Sequence, residues 1–277
     1  MLGSLVAFGL PPGSAIYDPG TSNLSVWLRG DGVTGTGATL SWPGRASTGT
    51  SSGTTFEHTG TYGDEVIASG TTLDTRATVE WPTSGSYPQL ICSEAYRTGL
   101  LGGGDNVGAS YTLGAVLQPL ASNANGLSGG DTTAANASLL QDTGSYGRIA
   151  SIHSTASIGV YHYDGVGSVG EGIPPVAWPG GFGAWGLLWV TFDYVSGTTG
   201  TLRMRINGTD VATETLRVLR GSVGLDGTTT SGASGGGSYA AAFRLAELLV
   251  YPGQAFTGAQ LAAKETYFAD RYPSLGL

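Results

Sequence analysis

Few residues in this chain have the type and spacing to do chemistry, and the carboxylates come first. Hydrolysis of a glycosidic bond needs two carboxyl groups flanking it, ~5–5.5 Å apart in a retaining enzyme. Asp64 and Glu65 are adjacent and would face opposite sides of a strand, while Glu247 stands alone among apolar neighbours in "AELLVY". The expected role of Glu247 is a paired or edge carboxylate. His58, His153 and His162 are the only histidines, and no serine sits in a Gly-x-Ser-x-Gly elbow. His162 and Asp164 in "YHYD" share one strand face, but a metal would need a third ligand from elsewhere. No catalytic residue is expected, and the chain reads as non-enzymatic.

Binding chemistry has more support. Calcium takes six to eight oxygens from carboxylates, carbonyls and amides. Asp105 and Asn106 in "GGGDNVG" (102–108) and Asp131 in "SGGDTTAANAS" offer such groups, although the same residues make ordinary turns. No other cofactor is implied. Sugar binding needs exposed rings beside planar polar groups. Trp178 and Trp185 lie in the Pro/Gly-rich "PPVAWPGGFGAWG" (174–186), and Tyr87 and Tyr146 sit among turn residues. These four are the candidate glycan-contacting rings, against the plainer reading that they pack beneath their loops.

Bulk composition limits the partners. The net charge is −8, only 12% of residues are charged, and Lys264 is the single lysine. Such a surface repels phosphate, and no basic patch interleaved with aromatics is present, so nucleic acid is not expected as a partner. No apolar run approaches the ~20 residues of a membrane span, so no membrane insertion is expected. The opening "MLGSLVAFGLPPG" has an apolar run at 5–10 but no basic residue before it, a poor secretion signal. One cysteine, Cys92, permits neither an intrachain disulfide nor a cysteine-rich zinc site.

The elements that must position these groups are strands. Period-two patterning marks 24–29, 111–118, 148–153, 157–164, 187–194, 201–208, 209–216 and 243–251. Asn207-Gly208 predicts a type I′ hairpin turn, with Leu202, Met204 and Ile206 on one face and Arg203 and Arg205 on the other, toward solvent. After Pro252 and Gly253 the period changes to that of a helix. Thr257 and Gln260 form a capping box, Leu261 and Phe268 dock the helix, and Tyr272-Pro273 ends it. Many antiparallel strands and one short C-terminal helix predict an all-β sandwich, a jelly roll.

The order of these pieces resembles a known family. "LSVWLRGDGVT", "SYTLGAVLQP", "WGLLWVTFDYVSGTTGTLRMRINGTDVATE" and "FRLAELLVYPGQAFTGAQLAAKETYFADRYP" are similar to segments of concanavalin A-like (laminin-G-like) jelly-roll domains found in bacteriophage and bacterial proteins. The resemblance implies that fold over 21–277, preceded by an extended arm at 1–20. Lectin and laminin-G relatives often hold calcium at the loop end. Related glucanases carry a Glu-x-Asp-x-x-Glu triplet, which this chain lacks.

The implied role is that of a bacteriophage virion structural protein: capsid decoration, head fibre or tail appendage. It would sit on the particle surface and be extracellular after release. Leu2, Leu5, Val6, Phe8 and Leu10 of the arm would dock it onto other virion proteins, with self-association expected. The alternative is an adhesin or lectin that binds host surface glycan. A glycoside hydrolase is the least favoured reading.

Overall fold

The computed structural model describes residues 24, 26–35, 39–44, 55–58, 68–81, 89–92, 110–122, 138–141, 148–153, 155–162, 171–196, 199–217, 229–231 and 241–277. Among them, strands form two antiparallel eight-stranded sheets. In the first sheet β14 (Thr209–Arg217), β13 (Thr199–Ile206), β12 (Gly186–Ser196) and β7 (Tyr111–Ser122) lie side by side. The order continues with β16 (Ala241–Pro252), β5 (Arg76–Trp81) and β4 (Ala68–Leu73). The short β1 (Val26–Arg29) pairs with the second half of β16, and β5 with its first half.

The second sheet runs β11 (Glu171–Ala177), β10 (Ser157–His162), β9 (Arg148–His153) and β8 (Ser138–Gln141). It is completed by β15 (Thr229–Ser231), β6 (Gln89–Cys92), β3 (Thr55–His58) and β2 (Ser41–Pro43). The expected all-β sandwich is therefore the observed one.

Alternation builds the core between the sheets. Leu113, Ala115 and Leu117 of β7, Leu188, Val190 and Phe192 of β12, and Leu202, Met204 and Ile206 of β13 all point inward. They meet Trp42, Phe56, Leu139, Ile152, Ile158, Val160 and Ile173 from the second sheet. Trp81 stacks on Phe243 at a ring distance of 4.6 Å. Each fully buried Leu or Phe contributes about 1.5–3 kcal/mol.

The hairpin between β13 and β14 turns at Asn207 (φ 46°) and Gly208 (φ 78°), the left-handed pair its sequence predicts. Asn207 is more than a turn residue. Its Oδ1 accepts from the Leu187 N–H at 2.7 Å and its own N–H donates to the Leu187 carbonyl at 2.9 Å, tying the hairpin to β12.

The outer face of the first sheet holds a second apolar layer that includes Trp27, Val116, Leu187, Trp189, Ala246, Leu249 and Tyr251. The helix α1 (Gly258–Arg271) covers it with Leu261, Tyr267 and Phe268. It thus lies on a sheet face, because Ala246, Leu249 and Tyr251 of β16 join Trp27, Val116, Leu187 and Trp189 in an apolar outer strip to cover. The predicted capping box is present: Gln260 N–H donates to Thr257 Oγ1 at 3.4 Å, and Thr257 N–H to Gln260 Oε1 at 2.8 Å.

A β-bulge in β16 decides what the helix meets. The register against β7 shifts between Leu245 and Glu247, so Leu245 and Leu248 both face the core while Ala246 and Glu247 both face outward. Glu247 is fully buried under α1. It accepts from Trp27 Nε1 at 2.6 Å, Arg271 Nε at 2.8 Å, the Tyr272 hydroxyl at 2.8 Å and the Tyr267 hydroxyl. Four donors fill the capacity of a carboxylate. Burial first, and then the nearby Glu247 charge, raise the pKa of both tyrosines, so they remain protonated donors. The paired structural role expected for Glu247 is what the structure shows.

Arg205 corrects an expectation. It shares the outer face with Arg203, but α1 passes over it. Its guanidinium bonds Glu265 at 2.8 and 3.1 Å and Asp210 at 2.9 Å, clamping the helix to the sheet. Arg203 is exposed, as predicted.

Candidate functional site

The loop 178–185 between β11 and β12 is the part of the sequence-predicted site that the structure describes. It leaves the sheet at Trp178, whose N–H donates to the Ala156 carbonyl at 2.8 Å, and turns through Pro179 and Gly180. Gly180, Gly181 and Gly183 adopt φ of 80°, 71° and 85°, a left-handed region that any side chain would strain. Gly181 N–H reaches back to the Trp178 carbonyl at 2.9 Å, and Gly183 N–H bonds the Pro119 carbonyl at 2.7 Å. The loop is short, but its backbone is pinned at both ends.

That pinning decides which ring is presented. Trp178 is 3% exposed and lies under the loop, its indole N–H donating to the Ala184 carbonyl at 2.9 Å. Its six-membered ring covers Gly186, where an added Cβ would fall 2.6 Å from Cζ2. In this placement neither face is open for stacking. Trp185 is half-buried and packs against the outer-face apolar layer. The exposed ring is Phe182, 36% exposed at the tip between two glycines. Its signal in the sequence is the Gly-Phe-Gly step, where no neighbour has a side chain to cover the ring.

Beside this tip a polar ladder crosses the outer face. Gln118 on β7, Arg244 on β16 and Glu80 on β5 are register neighbours. Gln118 Nε2 donates to the Gly183 carbonyl, which fixes the ladder to the loop one residue from Phe182. Arg244 Nη1 bonds Gln118 Oε1 at 2.9 Å, and Arg244 Nε bonds Glu80 Oε2 at 2.7 Å. Among the described residues, Arg244 Nη2 and Glu80 Oε1 keep their bonding capacity, and both side chains remain partly accessible. A guanidinium and a carboxylate side by side can donate to and accept from adjacent hydroxyls, and an apolar ring beside them can cover a C–H face.

The other sequence candidates fall elsewhere. Tyr87, Tyr146, Asp105, Asn106, Asp131 and the arm residues Leu2, Leu5, Val6, Phe8 and Leu10 lie outside the described residues. Among the described residues, no group of three His, Cys, Asp or Glu side chains converges as a metal site would require. No helix among them is long and apolar enough to cross a membrane.

With this geometry in place, likeness to known proteins adds one layer. No family model matches the chain, and no curated protein matches it. Solved structures do. The binding domain of Paraclostridial Mosquitocidal Protein 1 is similar at 14% identity and a TM-score of 0.58, covering 90% of this chain and 53% of that one.

A structure of botulinum neurotoxin type C, whose cell entry is described as dependent upon interaction with two ganglioside molecules, is similar at 11% identity and a TM-score of 0.54, covering 91% and 52%. The binding domain of botulinum neurotoxin DC, solved in complex with rat synaptotagmin II, is similar at 10% identity and a TM-score of 0.52, covering 91% and 52%. At these identities the likeness concerns the fold. The chain spans about half the length of these solved chains.

Proposed function

We propose that this chain is a non-enzymatic binding module that recognises a cell-surface glycan through the Phe182 loop and the Gln118–Arg244–Glu80 ladder. The observation that carries the reading is an exposed ring on a hydrogen-bonded tip, fixed beside a guanidinium and a carboxylate that retain free bonding capacity. Fold neighbours that are themselves binding domains, one described with ganglioside molecules, support it. Placement on a bacteriophage particle, with attachment to a host as the purpose, rests on the sequence resemblance and extends the same proposal.

The test is titration of the full chain with host cell-envelope polysaccharide, followed by calorimetry, with and without EDTA. Phe182→Ala should weaken binding by about tenfold or more, while Trp178→Phe, a ring under the loop, should weaken it far less. Equal affinity of Phe182→Ala and the parent would overturn the site. Loss in EDTA would bring the calcium candidates Asp105, Asn106 and Asp131 into the reading.

A further inference from the structure

A cleft of about 300 Å³ lies on the other side of α1, between the outer face of β12 and β13 and the first turn of the helix. Its sheet wall is formed by Trp189, Thr191 and Asp193 of β12 with Arg203 of β13, and its helix side by Phe256 and Gly258. This is at the small end of ligand sites and matches one sugar ring.

Among the described residues, two buried polar atoms here have no partner. Trp189 is fully buried and Thr191 is 1% exposed, yet neither the indole Nε1 nor Oγ1 has a hydrogen-bond partner. Leaving such a group unpaired costs about 1–3 kcal/mol. The orientation of Trp189 follows from Gly114, where an added Cβ would lie 2.3 Å from Cζ3. The six-membered ring therefore rests against β7, and Nε1 lies on the edge of the indole away from that contact, in a residue that lines the cleft.

The polarity of the groups around it is lopsided. Arg203 stands directly across from Thr191 in register and, among the described residues, makes no ion pair. The first turn of α1 contributes backbone N–H groups and the positive end of the helix dipole. With the indole N–H, these are all donors. Arg205 is already shared between Glu265 and Asp210. Asp193 at the rim is the one lining carboxylate not so engaged. An acceptor-rich group therefore fits the floor, and a hydroxyl fits Asp193.

We infer that this cleft binds the carboxylate-bearing ring of an acidic sugar, a uronic acid. The carboxylate accepts from Trp189 Nε1, the helix N-terminus and Arg203, and ring hydroxyls bond Thr191 and Asp193, with Phe256 against the C–H face. The whole-chain charge of −8 opposes long-range attraction, so recognition depends on these short-range donors. This inference stands apart from the Phe182 surface, which lies beyond the opposite end of β12.

The experiment is NMR titration of the full chain with D-glucuronate and with D-glucose, following the Trp189 indole N–H resonance. Glucuronate should shift that resonance and bind at least about tenfold more tightly than glucose. Arg203→Ala, at an exposed position, should abolish the preference, Thr191→Val should weaken both, and Phe182→Ala should change neither. Equal binding of the two sugars, or an unmoved indole resonance at about 10 mM glucuronate, would overturn the inference. So would a preference that survives Arg203→Ala.

Discussion

Arg271 Nε donates a 2.8 Å hydrogen bond to Glu247 Oε2, and both side chains are sealed from solvent, at 2% and 0% exposure. One comes from the last turn of α1 and the other from the bulge of β16, so the pair is where helix and sheet are fastened. Asp31, 3.3 Å from Arg271 Nη2, supplies a second carboxylate to the same guanidinium.

Removing either member alone strands the other. Glu247→Ala or Arg271→Ala should destabilise the chain by about 3–5 kcal/mol, read as a lower urea midpoint. The double change Glu247→Leu with Arg271→Met should recover much of that loss, since no charge is left buried. A double variant as unstable as the sum of the singles would mean that the two side chains act independently, and would count against this account of the pair.

His153 on β9 is 1% exposed, and burial lowers its pKa below the ordinary histidine value. Between the lowered value and about 6.5 the unfolded chain binds more protons than the folded one. Stability is therefore full above about pH 6.5 and declines as the pH falls through that window. Urea midpoints measured from about pH 8 to pH 5 should fall more steeply for the parent than for His153→Gln. Parallel curves would mean that His153 takes no part in the acid response.

Gly114 leaves room for the Trp189 ring to cross β7. Gly114→Ala should drive the ring off its seat at a cost of about 1–3 kcal/mol, because the contact is with a rigid aromatic edge. Trp189 stacks edge-on to Phe268 at 5.6 Å, so its displacement should also loosen α1. Near-ultraviolet circular dichroism would report the change. An unaltered aromatic spectrum and urea midpoint would count against this account of the packing.

Much of the sandwich could be read from residue patterns, and the reasons are local. The Asn207-Gly208 turn and the Thr257–Gln260 capping box are specified within four residues, so no tertiary knowledge is needed. β9 is legible in full as "RIASIH". By contrast β11 contains Pro174 and Pro175, which demote a run in sequence reading, yet it is an edge strand where one side needs no ladder donors.

The turn between β4 and β5 was equally silent. Asp74 and Thr75 take φ of 48° and 66° with no glycine to announce it, and Asp74 Oδ2 is held by Ser274 N–H at 3.0 Å, 200 residues away. Strand alternation points Arg205 to solvent, because its partner Glu265 lies on a helix whose seat no local pattern reveals. Trp178 and Phe182 sit four residues apart with similar surroundings, and only the loop's hydrogen bonds decide which ring is outside. Trp189 and Thr191 read as ordinary strand residues; that their polar atoms lack partners is visible only once β13 and α1 are in place.

The bulge at Ala246 makes β16 two half-strands of opposite phase. Strict alternation through this point, with no residue removed, would turn the carboxylate of Glu247 into the interior of the sandwich. The helix would lose its anchor, and the core would gain a charge. The break in strand phase is thus as constrained as residue identity, because it alone lets one strand send leucines into the core on both sides of an outward carboxylate.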